Sequence, residues 1–251
     1  MTAGNGPTVV VTGGSGPSGI AVAGALRRAG FAVFTVGSDQ ARIDAAAAQA
    51  GPGVTPLACD LASLPEVREL HRTLARDAGR IDGVIHLVGG WRGAQGIADQ
   101  SDEDWDFLER GAITTLRNVT RVFYDDLAAS DTGRFAMVTS TAVSRPAAGV
   151  ASYVAAKAAA EAWTMAVAEG FARDEDGDGT TKLHSAAVVF VVEALVDAGM
   201  RSRQPERKFP GYTDVEDLAA AVVGLFGRPA AELNGQRLPL TPDQASIAGT
   251  T

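Results

Sequence analysis

The amino-acid sequence predicts an α/β protein with a doubly wound parallel sheet. Short β-branched apolar runs alternate with longer helical stretches along nearly the whole chain. The strand runs are almost continuously apolar, as expected when helices cover both faces of a sheet. No shift in composition marks a boundary and no internal repeat is found. We therefore expect residues 1–251 to form a single domain, with flexible tails at 1–7 and 241–251.

The elements follow from apolar runs and from the residues that begin or end helices. Gly30 follows the first predicted helix, Ser63 precedes Pro65 and Glu66, and the pair at 213–214 precedes Glu216. The predicted strands cover residues 8–12, 32–36, 54–58, 82–88, 134–140, 184–192 and 236–240. The predicted helices cover residues 17–29, 40–50, 63–78, 102–127, 151–172 and 214–226.

Composition excludes several classes of function. The net charge of −8 disfavours nucleic acid or an anionic membrane as partner, because both bind basic surfaces. Cys59 is the single cysteine, so no disulfide forms within the chain, which fits a reducing cytosol. Residues 1–7 lack the features of a signal peptide, and no apolar run approaches the roughly 20 residues that span a bilayer. We expect a cytoplasmic protein.

An acidic segment at 174–179 matches the first six positions of a calcium loop. The twelfth position of such a loop holds a bidentate glutamate, and here it is Ser185. A solvated turn is the simpler interpretation, so we expect no metal site.

The stretch TGGSGPSG, residues 12–19, lies between the first strand and the first helix. Glycines at this junction allow a tight turn and a close approach of the backbone to a pyrophosphate, whose charge lies at the helix N-terminus. A tight turn without a ligand is the alternative. The candidate dinucleotide-binding residues in this stretch are Thr12, Gly13, Ser15, Gly16, Ser18 and Gly19.

Pro17 interrupts this loop with a residue that has no N–H group. We expect Pro17 at the first helical position, where that N–H would have no partner within the helix. The N–H groups of Ser15, Gly16 and Ser18 are then expected to remain available to a phosphate.

The end of the second strand, Ser38 and Asp39, follows the loop by about twenty residues, where an acid contacts a ribose 2′-OH. Asp39 either does so or caps the next helix, and both interpretations stay open. No lysine or arginine lies in 12–19 or 36–41 to bind a 2′-phosphate, which favours NAD over NADP.

Three residues predict a catalytic centre. Tyr153 and Lys157 are four residues apart at the start of a predicted helix and therefore share one face. Ser140 ends the fifth predicted strand, and ligands of open α/β sheets lie beyond the carboxyl ends of strands. The chain has only three tyrosines and three lysines, so a tyrosine four residues before a lysine is seldom expected by chance.

Together with the glycine loop, these residues resemble the short-chain dehydrogenases/reductases, from Thr12 to the segment at 234–240. The resemblance implies one Rossmann-type domain with a seven-stranded parallel sheet in the order 3-2-1-4-5-6-7. It also implies NAD or NADP as cofactor. Dimers or tetramers would form through the helices at 102–127 and 151–172.

The resemblance further implies an NAD(P)-dependent oxidoreductase that interconverts an alcohol and a ketone or aldehyde. Tyr153 would be the general acid/base, Lys157 would hold the nicotinamide ribose, and Ser140 would hold the substrate oxygen. We expect the Lys157 cation to lower the pKa of Tyr153, because a nearby cation favours the phenolate.

Other segments match the family in part. Asp60 and Leu61 resemble the pair that contacts adenine. Residues 82–88 resemble the fourth strand of the extended subgroup, and Val88 and Gly89 close the segment that replaces the Asn-Asn-Ala-Gly of the shorter subgroup. The glycine spacing is typical of the extended subgroup, whereas the chain length is typical of the shorter one.

Several positions depart from the family pattern. Ala112 replaces an asparagine that holds a water for proton relay, and Asn118 lies on another helix face. Phe190-Val191 aligns with a Pro-Gly pair, so Phe190 is expected to crowd the nicotinamide. His86 is interpreted as a strand-end residue with a satisfied ring. Two alternatives follow: a dinucleotide-binding sensor or partner subunit, and a redox-neutral lyase or isomerase.

The substrate is expected to contact the loops after the fourth, fifth and sixth strands, including 193–212. This last segment either closes as a lid on an acidic or phosphate-bearing substrate or is a solvated basic loop, which is the simpler interpretation. Trp91 either stacks on the substrate or covers the sheet edge. The basic residues of the segment are Arg201, Arg203, Arg207 and Lys208.

Overall fold

The computed structural model of the chain describes residues 6–177 and 183–240. Its strands are β1 (Thr8–Thr12), β2 (Ala32–Gly37), β3 (Val54–Ala58), β4 (Gly83–His86), β5 (Arg134–Ser140), β6 (Ala186–Val192), β7 (Leu195–Val196), β8 (Thr213–Asp214) and β9 (Arg237–Pro239). Its α-helices are α1 (Pro17–Arg28), α2 (Gln40–Ala50), α3 (Leu64–Ala78), α4 (Asp102–Glu109), α5 (Thr115–Ala128), α6 (Ala151–Gly177), α7 (Ala198–Arg203), α8 (Val215–Leu225) and α9 (Ala230–Leu233).

The main sheet has seven parallel strands in the order β3-β2-β1-β4-β5-β6-β9. The predicted order is confirmed, with β9 as the seventh strand. Two short strands that the sequence did not predict, β7 and β8, form a separate parallel pair. They come between β6 and β9 in the chain, not in the main sheet.

Apolar residues fill both faces of the sheet. On one face, Val10, Val84 and Phe135 pack in a buried cluster that includes Leu116 and Phe123 of α5. On the other face, strand residues pack in a second cluster with α1 and α8, including Val9, Val11, Ile85, Val188, Leu26 and Leu218. Successive strand residues thus contact opposite layers. Because all seven strands are parallel, their carboxyl ends meet at one edge of the sheet.

Several predicted boundaries differ from the structure, among them the end of the fourth strand, the long helix at 102–127 and the loop at 193–212. The fourth strand ends at His86 rather than at residue 88. The predicted helix at 102–127 is divided into α4 and α5 by a π-helical turn, Arg110–Thr114. The predicted loop at 193–212 contains β7 and α7.

Some expectations fall outside the described residues. Part of the acidic 174–179 segment does so, and so do both predicted tails apart from Gly6 and Pro7. Within 6–177 and 183–240, no group of acidic, histidine or cysteine side chains suits a metal ion. None of the described helices is long and apolar enough to cross a membrane.

Candidate active site at the carboxyl edge of the sheet

A cavity of about 700 Å³ opens at the carboxyl ends of β4, β5 and β6, and α6 and the 193–212 segment also border it. The structure brings the three predicted catalytic residues together here with three of the predicted cofactor residues. The lining residues predicted from the sequence are Ser18, Val88, Gly89, Ser140, Tyr153 and Lys157.

The strand β5 and the helix α6 hold the catalytic residues in register. Ser140 is the last residue of β5, and it lines the cavity together with Tyr153. One turn further along α6, the Lys157 amine donates to the carbonyl of Val138 at 2.9 Å. Alternate positions of β5, residues 138 and 140, thus lie at the same cavity as Lys157 and Tyr153 of one helix face.

A third residue of this face, Glu161, completes the arrangement. Its Oε1 accepts a hydrogen bond from the Thr139 hydroxyl at 2.6 Å, and its Oε2 lies 2.8 Å from Nε of Arg237 on β9. Glu161 is buried. Tyr153, Lys157 and Glu161 are spaced by four residues and therefore share one helix face, which is a sequence signal for Glu161. The sequence-based prediction included only the first two of these residues.

Burial dominates the electrostatics of the centre. Burial raises the pKa of Tyr153, and the hydrogen bond with Ser140 opposes the rise. Burial lowers the pKa of Lys157 to about 8, and the carboxylate of Glu161 opposes that fall. The expectation that Lys157 lowers the pKa of Tyr153 is wrong for this structure, because desolvation of the phenol outweighs other effects and the amine is bound to Val138.

The glycine loop has the shape that close backbone packing requires. Gly13 has φ +75°, and a Cβ there would lie 2.7 Å from the Leu87 carbonyl. A Cβ on Gly19 would lie 2.6 Å from the Gly13 oxygen. A Cβ on Gly16 would meet only that oxygen, at 3.7 Å, so the backbone at Gly16 faces open space.

The N-terminus of α1 fits a pyrophosphate. Pro17 is the first residue of α1, as predicted, and the N-cap residue Gly16 provides no side-chain cap. The open space at Gly16 lets a phosphate approach the positive end of the helix. The Gly16 N–H donates to the Gly13 oxygen at 3.2 Å, so the expectation that this donor remains available is wrong.

The end of β2 shows a helix cap. Asp39 is the N-cap of α2, and its Oδ1 accepts a hydrogen bond from the Arg42 N–H at 2.8 Å. The capping interpretation is confirmed, and the exposed Ser38 precedes it. The guanidinium of Arg42 also lies 3.7 Å from the Asp39 carboxylate. Arg42 follows directly after residues 36–41, which contain no lysine or arginine. Ser15 lies beside this strand end, since a Cβ on Gly37 would be 2.5 Å from its hydroxyl.

Asp60 and Leu61, the pair predicted to contact adenine, each bind another residue of the chain. Asp60 forms an ion pair with Arg110 at 2.6 Å and accepts a hydrogen bond from Ala62 N–H at 3.0 Å. The carbonyl of the buried Leu61 accepts from Asn118 Nδ2 at 3.0 Å. Asn118 therefore points away from the catalytic centre, as the helix geometry predicts.

Ala112 gives an apolar contact in place of a polar one. It is buried in a small cluster with Leu108 and Ala156, against which Tyr153 packs. Ala112 therefore supports the phenol by packing and supplies no hydrogen-bonding group.

His86 is a satisfied, neutral strand-end residue, as interpreted. Its Nδ1 lies 2.8 Å from the Thr12 hydroxyl, and its Nε2 lies 3.2 Å from the Thr115 hydroxyl. The Thr115 hydroxyl donates its single hydrogen to the Gly111 carbonyl, so it accepts from Nε2–H and the proton of the ring is on Nε2. Burial and the Lys157 charge lower the pKa of His86 to about 3. Thr12 is fully buried, so its hydroxyl supports His86 instead of lining the cavity.

The expectation that Phe190 crowds the nicotinamide is wrong. The strand β6 continues through Val192, and Phe190 is fully buried in the core beside α8. The residues that follow the strand and line the cavity are Glu193 and Ala194. Phe190 and Val191 therefore lie within β6, which ends at Val192 as the predicted strand 184–192 does.

The 193–212 segment closes one side of the cavity. Of its four basic residues, Arg207 lines the cavity, and Arg201, Arg203 and Lys208 do not. Trp91 also lines it and is 64% exposed, so its ring is accessible on the substrate side.

The geometry defines the class of protein: a doubly wound fold with an open helix N-terminus for a dinucleotide and a Ser-Tyr-Lys centre at the same sheet edge. The chain belongs to the short chain dehydrogenase family, whose model matches residues 7–175.

Individual relatives are distant. The nodulation protein G of Rhizobium meliloti (strain 1021) is 25% identical over 248 residues, which are 96% of this chain and 98% of the relative. The D-beta-hydroxybutyrate dehydrogenase of Cupriavidus necator is 29% identical over 156 residues, which are 61% of this chain and 60% of the relative. The crystal structure of NAD⁺-bound xylitol dehydrogenase superposes with a TM-score of 0.78 at 20% identity, covering 96% of this chain and 99% of that one.

Proposed function

We propose that this protein is an NAD(P)-dependent oxidoreductase that interconverts an alcohol and a ketone or aldehyde. The observation that carries the proposal is the meeting of Ser140, Tyr153 and Lys157 in one cavity. Ser18 and Gly89 line the same cavity, so it reaches the side of the glycine loop.

Each residue has a role that its surroundings support. The Ser140 hydroxyl donates a hydrogen bond to the substrate oxygen where negative charge develops. The Tyr153 hydroxyl exchanges the proton of that oxygen. The dinucleotide supplies the hydride or accepts it when bound. Lys157 holds the ribose beside Tyr153, and its pKa of about 8 suits proton supply near neutral pH.

Apart from Lys157, the candidate cofactor residues lie at or just after the carboxyl ends of β1, β2, β3 and β4. The N-terminus of α1 with Gly13, Ser15, Gly16 and Gly19 would hold the pyrophosphate. Asp39 and Ser38 would contact the ribose, and Asp60 with Leu61 would contact the adenine. Asp39 favours NAD, and the neighbouring Arg42 provides the nearest cation for a 2′-phosphate.

Two relatives act on alcohols by their names, D-beta-hydroxybutyrate dehydrogenase and xylitol dehydrogenase. This supports a small hydroxyl or carbonyl compound as substrate. We further propose a cytoplasmic homodimer or homotetramer.

A redox-inactive dinucleotide sensor or partner subunit is a second candidate. Ala112 favours it, because this position offers no polar group for proton relay. The presence of Ser140, Tyr153 and Lys157 at one cavity favours the enzyme. A redox-neutral lyase or isomerase would use the same residues without net change of the nicotinamide.

The testing experiment begins with calorimetric titration of the purified protein with NADH and NADPH, followed by a screen of carbonyl substrates. We expect micromolar binding of one cofactor and turnover that Tyr153→Phe abolishes while cofactor affinity changes little. Tyr124→Phe is the matched control, because Tyr124 stacks on Phe171 outside the cavity. Failure of both cofactors to bind at millimolar concentration would reject the proposal. Cofactor binding without turnover in the wild type would favour the sensor.

A further inference from the structure

A short stretch of the 193–212 segment fixes the Arg207 guanidinium at the cavity. Its Nη1 donates to Gln204 Oε1 at 3.0 Å, and its Nη2 donates to the Tyr212 hydroxyl at 2.9 Å. Its central carbon lies 5.0 Å from the centre of the Phe209 ring, and Phe209 is buried. Because these contacts fix the plane of the guanidinium, little orientation is left to lose on binding a ligand.

These partners are all neutral. Within the described part of the chain, no carboxylate lies within ion-pair distance of Arg207. A guanidinium has five N–H donors, and the two hydrogen bonds leave three without an acceptor among the described residues. The charge of Arg207 is therefore available to a ligand.

Arg201 provides an internal contrast. Its central carbon lies 5.4 Å from the same Phe209 ring, but its Nη2 lies 3.0 Å from Asp214 Oδ2. Arg201 does not line the cavity. Two arginines thus flank one ring, and the one without a carboxylate partner is the one at the cavity.

The charges around the cavity favour an anion. Its charged lining residues are Lys157, Arg207 and Glu193, since the neighbouring His86 is neutral. The Glu193 carboxylate packs against the backbone of Gly211. A Cβ atom built on Gly211 would lie 2.1 Å from Oε2 of Glu193. Lys157 is fixed on Val138, so Arg207 is the cation free to bind an oxyanion.

We propose that Arg207, held by Gln204, Phe209 and Tyr212, is a subsite for an oxyanion of the substrate, so that the preferred substrates are oxo acids or hydroxy acids. The proposal rests on the proposed function for the carbonyl chemistry at Ser140 and Tyr153. It adds the substrate class, with a carboxylate as the anion and a phosphate as the alternative source of the same oxygens.

The test compares charged and neutral forms of the same ketone. Pyruvate, acetoacetate and levulinate are each measured against their methyl esters, and dihydroxyacetone phosphate is measured against dihydroxyacetone. We expect the wild type to prefer at least one anion over its neutral partner by about tenfold or more in kcat/KM. Arg207→Gln should remove that preference by lowering kcat/KM for the anion about tenfold to a hundredfold, with the neutral form within about twofold.

Arg201→Gln is the matched control and should leave the preference unchanged. Arg207→Lys keeps the charge but loses the planar fork, so partial retention of the preference is expected. Preference for the acid identifies a carboxylate subsite, and preference for the phosphate ester identifies a phosphate subsite. Equal kcat/KM for anion and neutral form in the wild type, or an unchanged preference in Arg207→Gln, would overturn the proposal.

Calorimetry separates this proposal from the proposed function. The same compounds are titrated into wild-type protein and Arg207→Gln, with and without cofactor, so that binding is read without turnover. Anion binding that depends on Arg207 in a protein without turnover would keep the subsite and reject the oxidoreductase. Turnover of neutral ketones without a preference for the anion would keep the oxidoreductase and reject the subsite. Absence of anion binding by the wild-type protein, both with and without cofactor, would also reject the subsite.

Discussion

Glu161 lies on α6 one turn after Lys157 and two turns after Tyr153, and it joins the catalytic face of the helix to two strands. Thr139 of β5 donates to one carboxylate oxygen, and Arg237 of β9 lies at the other. The carboxylate opposes the fall in the pKa of Lys157 that burial causes. We propose that Glu161 is a positioning residue that favours the protonated form of Lys157.

Replacing Glu161 by Gln should move the alkaline limit of carbonyl reduction to lower pH. Lys157 loses its proton as the pH rises through about 8, and loss of the carboxylate lowers that pKa further. The limb of the kcat profile should shift down by roughly one pH unit. The measurement is kcat against pH from 6 to about 10.

Glu169→Gln is the control for this prediction, because Glu169 is an exposed residue of the same helix that pairs with Arg173. An alkaline limb that stays in place in Glu161→Gln, with the fold intact by circular dichroism, would contradict the electrostatic role.

Two glycines of the same loop should respond differently to alanine. A Cβ on Gly19 would lie 2.6 Å from backbone atoms of Gly13 and Gly14, whereas a Cβ on Gly16 would meet nothing closer than 3.7 Å. Gly19→Ala should lower the free energy of unfolding by about 1–3 kcal/mol, because the helix or the loop must shift. Gly16→Ala should fold normally and lose cofactor affinity, because its methyl group fills the space at the helix N-terminus.

Urea unfolding and calorimetry with NADH and NADPH check both glycine variants. Wild-type cofactor affinity in Gly16→Ala would show that the pyrophosphate does not approach this residue.

Among the elements, the sheet is tied together at its amino edge by one buried carboxylate that precedes β4. Asp82 accepts hydrogen bonds from the Thr8 N–H at 2.8 Å and the Ser130 hydroxyl at 2.7 Å. Arg80 lies 2.7 Å from the same carboxylate, whose side chain is 2% exposed. These contacts connect the start of β1 to the turn before β5, at the edge opposite the cavity.

Asp82→Asn should destabilise the fold without changing the site. The amide puts N–H donors where a carboxylate oxygen accepted hydrogen bonds, and a loss of about 3 kcal/mol in the free energy of unfolding is expected. Urea denaturation measures the loss, and calorimetry under native conditions should give an unchanged cofactor Kd. An equal loss of cofactor affinity in the folded variant would show that the two sheet edges are coupled.

For the whole molecule, α6 presents an apolar face to solvent in the isolated chain. The exposed positions Ala155, Ala159, Ala162 and Ala166 follow helical spacing, and none carries a charged side chain. A solvent-facing helix surface is normally polar, so this face supports the proposed association of subunits.

Ala159→Arg should therefore convert the proposed oligomer to a monomer of 25.8 kDa. A buried arginine without a partner strongly opposes close packing of two such faces. Light scattering after size exclusion measures the mass, and Ala45→Arg on the exposed face of α2 is the matched control. A wild-type protein that is already monomeric, or an unchanged oligomer in Ala159→Arg, would contradict this use of α6.

The strand order was implied by the family resemblance. The sequence by itself predicted the parallel sheet and a site with Ser140, Tyr153 and Lys157. These features depend on local patterns: apolar runs with helical stretches between them, and a four-residue spacing on one helix face. Pro17 at the first position of α1 was predicted for the same reason, since it depends on a short local context.

Tertiary structure alone decided the features that depend on contacts between distant segments. Glu161 binds residues of β5 and β9 that lie 22 and 76 positions away in the chain. The placement of Arg207 and not Arg201 at the cavity likewise depends on how the 193–212 segment packs beside β4, β5 and α6. The end of β6 at Val192 agrees with the predicted strand, but only the tertiary structure shows that Phe190 packs in the core and not at the cavity. The pKa of Tyr153 likewise follows from how deeply the folded chain buries it, which no local spacing records.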